Sequence, residues 1–242
     1  MEPTLVVLLY SSLAAAVAGL GALPLLRRER VPTRWVGWAN ATAAGLMLGA
    51  AWALASAVDG APLASAVGAL VGVLYSAWTH RVLGTEDLEL NRLSEIDAVY
   101  GYQILLVNTL HSASEGVAIG VAMAVHLPFG AFLAVAIGVH NIPEAVVLCE
   151  VLRGRGLRPG QAAGLAVATN LSQVLLSVVV FAVVGAAPAM LPGALGFAVG
   201  ALIYLVLVEL LPESYREAGP TTIAIVTTVV MGVVVLLRGA LG

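Results

Sequence analysis

Two short runs, N-T-L-H-S-A-S-E-G at 108–116 and V-H-N-I-P-E-A at 139–145, decide how this chain is read. Each places a histidine four residues before a glutamate, pairing His111 with Glu115 and His140 with Glu144. Both runs lie inside apolar segments too long for the core helix of a soluble domain, because 18 or more residues with few charges read as a membrane span. Four residues turn a helix by about 400° and raise it by roughly 6 Å, so each imidazole stands nearly above its carboxylate on one face. Ionisable groups at mid-bilayer depth are costly to bury, so they normally face a cavity and mark the path of an ion or substrate. Two imidazoles and two carboxylates converging from neighbouring helices form a donor set for a borderline divalent cation such as zinc.

The rest of the chain agrees with a membrane setting. It is 60% hydrophobic and 10% charged, with a mean hydropathy of +1.00. Soluble domains carry about 25% charged residues, so that class is excluded. Eight apolar spans are expected, at roughly 4–26, 36–58, 62–83, 99–125, 128–152, 161–187, 191–211 and 219–240, separated by clusters of proline, glycine and charge. Residues 1–242 therefore read as a single all-α polytopic membrane domain with no soluble domain attached. The opening M-E-P-T lacks the basic region of a cleavable signal, so the first span is expected to stay in the mature protein. The single Cys149 excludes an internal disulfide and reads as inert. Nothing in the sequence calls for an organic cofactor or a nucleic-acid partner.

All eleven cationic side chains are arginines. Arg27, Arg28, Arg30 and Arg34 fall in the first loop, Arg81 and Arg92 in the third, Arg153, Arg155 and Arg158 in the fifth, and Arg216 in the seventh. Only Arg238 lies on the other side. By the positive-inside rule the odd loops are cytoplasmic and both termini are outside. A bacterial inner membrane is the expected location for so compact a chain. Trp35, Trp38, Trp52 and Trp78 fit interfacial anchoring.

With directions fixed, His111, His140 and a polar cluster of Asn170, Ser172 and Gln173 fall at one level of the bilayer. A midplane site on interrupted helices is a usual transporter design, and Pro143 is the expected interruption, freeing the carbonyl of Val139. Against a site stands the reading of His111, Glu115, His140 and Glu144 as hydrogen-bonded glue between helices. Serine, threonine and asparagine do that work without burying charge. Ser112 and Asn141 are ligands or glue on equal terms, and Asn108 either lines the path or ties helices. Gln173 fits better beside the ion than on it, since a neutral amide is a poor zinc ligand. Met47 reads as packing. His80, Glu150, Glu209 and Glu213 sit towards the cytoplasmic ends of their spans, as an exit relay or as solvated helix ends, with Glu209 furthest inside. His126 reads as an interfacial turn residue, and Asp59 as either a cation-attracting group or a helix end.

These motifs resemble the ZIP (Zrt/Irt-like) family of divalent-metal transporters. The pattern H-S-x-x-E-G in span four and H-N-x-P-E-A in span five carries the resemblance, with L-V-E-L-L-P-E-S at 207–214 and A-A-G-L-M-L-G-A at 43–50 in support. The resemblance implies an inverted repeat of spans 1–3 and 6–8 around spans 4–5. It also implies cation uptake into the cytoplasm, a homodimer, and an elevator-like movement of the metal-carrying helices. Three departures stand out. Ser112 and Ser114 replace the family's asparagine and proline in span four, Ala145 replaces a glycine, and Gln173 stands where relatives often carry a glutamate that completes a second metal site. The expected metal set is thus His111, Glu115, His140 and Glu144, with Asn141, Ser112 and Gln173 beside them, holding one ion rather than two. The acidic loop at 84–97 replaces the His-rich insertion of many relatives.

Transport of zinc, or of cadmium, iron, manganese or cobalt, is the function this reading favours. The alternative is an intramembrane metal-dependent hydrolase, for which His and Glu would supply metal and base. The chain contains no H-E-x-x-H, and the expectation is therefore a carrier and not an enzyme.

Overall fold

The computed structural model describes residues 2–27, 31–58, 60–83 and 98–240. Asp59, Arg28, Arg30, Arg92 and the acidic loop with Glu86, Asp87, Glu89, Glu95 and Asp97 lie outside the described residues. Every regular element among the described residues is helical. In chain order these are α1 (Pro3–Val17) continued by a 3-10 stretch (Ala18–Ala22), α2 (Pro24–Arg27), α3 (Thr33–Ala55), α4 (Pro62–Leu83), α5 (Ala98–Val125), α6 (Leu127–Gly154), α7 (Pro159–Thr169), α8 (Leu171–Ala186), α9 (Leu191–Leu205), α10 (Leu211–Ala218) and α11 (Pro220–Ala240). Most begin on or beside a proline, whose missing N–H costs nothing in a first turn and whose fixed φ suits it.

Among the described residues, seven segments are long and apolar enough to cross a membrane: Pro3–Leu26, Pro62–Arg81, Tyr102–Val125, Leu127–Gly154, Pro159–Ala186, Pro188–Ala218 and Pro220–Gly239. They coincide with seven of the eight expected spans to within three residues at each end, except that span seven runs on to Ala218, past its expected end at 211. The expected second span corresponds to α3, which has 23 residues but is not among the seven. Alanine, glycine and Asn40 dilute its apolar character. The physical reason is its position, since α3 packs against α6, α9, α10 and α11 and buries most of its length. A helix surrounded by helices needs small side chains more than lipophilic ones.

Small residues set the packing throughout. Ala43, Ala44, Ala50, Ala51, Ala53, Ala118, Ala122 and Ala198 lie in the main core with Met47, Ile119, Met123, Leu133 and Ile137. The helix α6 runs through the middle, against α1, α3, α5 and α7. Side by side, α4 and α9 approach closely enough that a Cβ on Gly72 would overlap the carbonyl oxygen of Phe197, and one on Gly196 that of Ser65. All four tryptophans are exposed on the outside of the bundle, the placement that anchoring in lipid requires.

Besides the 3-10 stretch of span one, two spans are irregular, and none of the three at the expected place. The helix α6 continues unbroken through Pro143, because losing one backbone bond inside a well-packed helix leaves the turns above and below to hold it. Span six instead breaks at Asn170, between α7 and α8. Span seven widens into one π-helical turn, Val206–Leu210, just before Pro212.

The close approach of α4 and α9 predicts that Gly196→Val destabilises the bundle, since a backbone oxygen cannot step aside as a side chain can. The expected cost is about 1–3 kcal/mol or more, read as a fall in the thermal unfolding midpoint in detergent. Gly164→Ala, where a Cβ meets nothing within 4 Å, leaves the midpoint unchanged or raises it.

Candidate metal centre

Helix periodicity brings His111 and Glu115 to one face of α5, and His140 and Glu144 to one face of α6, as the sequence spacing requires. Packing of α5 on α6 turns these faces together. One donor atom from each of the four residues then lies within 4.8 Å of every other. His140 Nε2 is 3.1 Å from Glu115 Oε1 and 3.8 Å from Glu144 Oε2. His111 Nε2 is 3.5 Å from Glu115 Oε1 and 4.0 Å from Glu144 Oε1. Both Nε2 atoms thus aim at one carboxylate oxygen, with the imidazole rings 6.1 Å apart and nearly parallel.

Burial makes this arrangement costly as it stands. Glu115 is fully buried, His140 is 1% exposed and His111 8%. Both oxygens of Glu115, both ring nitrogens of His140, His111 Nε2 and Glu144 Oε2 are buried without an aligned hydrogen-bond partner. An unpartnered buried polar atom costs about 1–3 kcal/mol, and more where it is charged. With one donor atom from each of the four residues gathered within 4.8 Å, they form a donor set arranged for something other than themselves. Two nitrogens and two carboxylates suit a tetrahedral divalent cation, and their two negative charges balance one such ion.

The three further candidates are engaged next to this set. Asn141 donates from Nδ2 to Ala14 O and to Gln173 Oε1, both at 3.1 Å, leaving its buried Oδ1 without a partner. Gln173 is fully buried, and its Nε2 reaches Ser11 O at 3.5 Å. Ser112 donates to Asn170 Oδ1 at 3.2 Å, while Asn170 donates to Ala166 O. The pair Asn141–Gln173 clasps α1, α6 and α8 together, and Ser112–Asn170 joins α5 to the break in span six. Asn108 likewise donates to Thr169 Oγ1, and Ser172 to Thr109 O. Met47 is buried in the core and Cys149 in a separate cluster with Ala18, Ala22 and Leu25.

Sequence reasoning placed Glu209 towards the cytoplasmic end, yet its carboxylate stands 3.5 Å from His111 Nδ1 and 3.6 Å from His80 Nε2. The π turn that aims it is not legible in the sequence. The available signal was a glutamate inside the apolar run 201–211, three residues before a proline. Glu213 accepts from Asn40 Nδ2 at 3.2 Å.

Residues 84–238 match the family described as ZIP Zinc transporter. The chain is 31% identical over 226 residues to the zinc transporter GufA of Myxococcus xanthus, covering 86% of this chain and 88% of that protein. It is 34% identical over 230 residues to an Arabidopsis thaliana protein described as a candidate zinc transporter, covering 92% of this chain but 37% of the longer relative. It is 30% identical over 164 residues to the zinc transporter ZIPB of Bordetella bronchiseptica, covering 67% of this chain and 52% of that one. An integral membrane protein with this helix content and this match belongs to the ZIP zinc transporter family.

The amide clasp generates a prediction independent of metal. Gln173→Leu keeps the volume but leaves an Asn141 donor facing apolar groups, at a cost of about 1–3 kcal/mol. The thermal midpoint of the metal-free protein falls, while Ser112→Ala, which removes one neutral hydrogen bond, lowers it less.

Proposed function

We propose that this protein carries divalent transition-metal cations, zinc foremost, through the membrane into the cytoplasm. His111, Glu115, His140 and Glu144 hold the ion midway. The observation that carries this reading is the convergence, within 4.8 Å, of one donor atom from each of four His and Glu side chains on two adjacent spans, several of them buried without a hydrogen-bond partner. The relatives are transporters by name, which favours a carrier over an intramembrane hydrolase. Cadmium, iron, manganese and cobalt present similar size and charge to the same donors. The metal is the cargo, and no organic cofactor enters the reading.

The whole chain, 1–242, acts in this reading as one domain of eight spans, with α3 as the eighth. The arginine distribution puts both termini outside, and a bacterial inner membrane is the proposed setting. An inverted repeat of spans 1–3 and 6–8 is supported by the helix pairings, which survive exchange of the two halves. Under it α4 on α9 becomes α11 on α3, α5 on α8 becomes α6 on α1, and α3 on α6 becomes α9 on α5. Alternating access then moves the ion-bearing helices against the tightly paired α4 and α9, in the manner of an elevator, within a homodimer. One ion per chain is proposed, because Gln173 and Asn141 are neutral and spend their donors on each other and on backbone carbonyls. Two dications sharing only Glu115 and Glu144 would repel strongly even at an effective dielectric near 20.

Glu144→Ala tests the site. Removing one carboxylate leaves the cation uncompensated, at about 3–5 kcal/mol, or roughly 100-fold or more in affinity. Calorimetry with zinc on the folded variant should find that loss, and proteoliposomes should take up no zinc. Wild-type flux in this variant would overturn the assignment. Calorimetry and anomalous scattering should also give one zinc per wild-type chain and a second in Gln173→Glu. Two filled sites in the wild type would contradict the one-ion reading.

A further inference from the structure

We infer that Glu209 is a positioning residue for His111: its carboxylate takes the Nδ1–H of that imidazole and so fixes the tautomer whose Nε2 lone pair faces the cation. The inference rests on the proposed metal site and adds a residue from a third helical segment to it. The two ring nitrogens of His111 have separate surroundings. Nε2 looks into the donor set, 3.5 Å from Glu115 Oε1 and 4.0 Å from Glu144 Oε1. Nδ1 looks the other way, to Glu209 Oε2 at 3.5 Å. A shift of about 0.5 Å in either side chain closes that gap to ordinary hydrogen-bond length. A neutral imidazole has one N–H and one lone pair, so an acceptor at Nδ1 holds the proton there and leaves the lone pair at Nε2. A carboxylate in that place also strengthens the nitrogen as a ligand.

His140 lacks this support. Its Nε2 faces both Glu115 and Glu144, and its buried Nδ1 has no hydrogen-bond partner. The two histidines, equivalent by sequence motif, are therefore unequal in the fold. What aims Glu209 is the π turn Val206–Leu210, which rotates the chain off the register of α9. Its second oxygen lies 3.6 Å from Nε2 of His80, a buried side chain on α4. Glu209 thus links the ion-bearing α5 to α4 as well as to its own segment. Any movement that draws α5 away from α9 and α10 removes the support of His111 and lowers affinity for the ion. Release would then follow from the movement itself.

The test uses the full chain labelled with 15N-histidine, whose four imidazoles are assigned by single substitutions. In metal-free protein at a pH where the imidazoles are neutral, the His111 ring should report an Nδ1–H tautomer. Glu209→Ala should turn that signal into a tautomer mixture, whereas Glu209→Gln, which keeps an acceptor, should preserve it. Glu209→Met serves in place of alanine if that variant does not fold. Zinc affinity by calorimetry should fall on the order of 10- to 100-fold in Glu209→Ala and by much less in Glu209→Gln. A His111 signal unchanged by Glu209→Ala overturns the inference, as does a loss in Glu209→Gln equal to that in Glu209→Ala, which would make Glu209 a ligand. If zinc leaves the His111 and His140 signals unmoved in the wild type, the metal site itself fails, whatever the tautomer result.

Discussion

The constraint on which this structure depends is the placing of one carboxylate, Glu115, wholly out of solvent and a second, Glu144, largely so. Glu115 has no exposure at all, and neither of its oxygens has an aligned partner. A group so placed weakens the fold by itself, and under the proposed function that cost is recovered when a cation is bound. The helices that present the donors must hold their places against that cost. They do so by small-residue packing, in which glycine and alanine let backbones meet without large side chains between them.

Beside the proposed ion site the same helices are tied by neutral amides. Asn141 and Gln173 satisfy each other and reach the carbonyls of Ala14 and Ser11, so three spans are held by groups that carry no charge. Charged and neutral polar groups therefore divide the interior between them. Histidine and glutamate form a set whose members do not satisfy one another, and asparagine, glutamine and serine form a set whose members largely do. A glutamate at position 173 would cross from the second set to the first.

Two of the irregular turns, at Asn170 and at 206–210, lie where the polar groups are. The break at Asn170 puts its side chain between Ala166 O and Ser112, and the π turn at 206–210 puts Glu209 between two histidines. A regular helix spends its backbone groups internally and offers a neighbour only side chains at fixed register. Departing from that register by one turn lets a helix otherwise packed for stability deliver a single group to a chosen point. Span five remains regular through Pro143, and its four-residue spacing by itself delivers both His140 and Glu144.

Hydropathy and the positions of proline determined the all-helical membrane class and seven spans, since both act locally along the chain. The i, i+4 pairs determined the four central donors, because helix periodicity alone puts His111 over Glu115 and His140 over Glu144. The eighth apolar segment illustrates the limit of that reading. Helix α3 is shaped by enclosure among other helices and not by contact with lipid, so its composition understates what it does. The partners of Gln173, the continuity of α6 through Pro143, and the reach of Glu209 to His111 were decided only in the tertiary structure. The contacts of Gln173 and of Glu209 depend on which face of one helix meets which face of another, a relation between residues 32 to 162 positions apart on which local periodicity places no constraint.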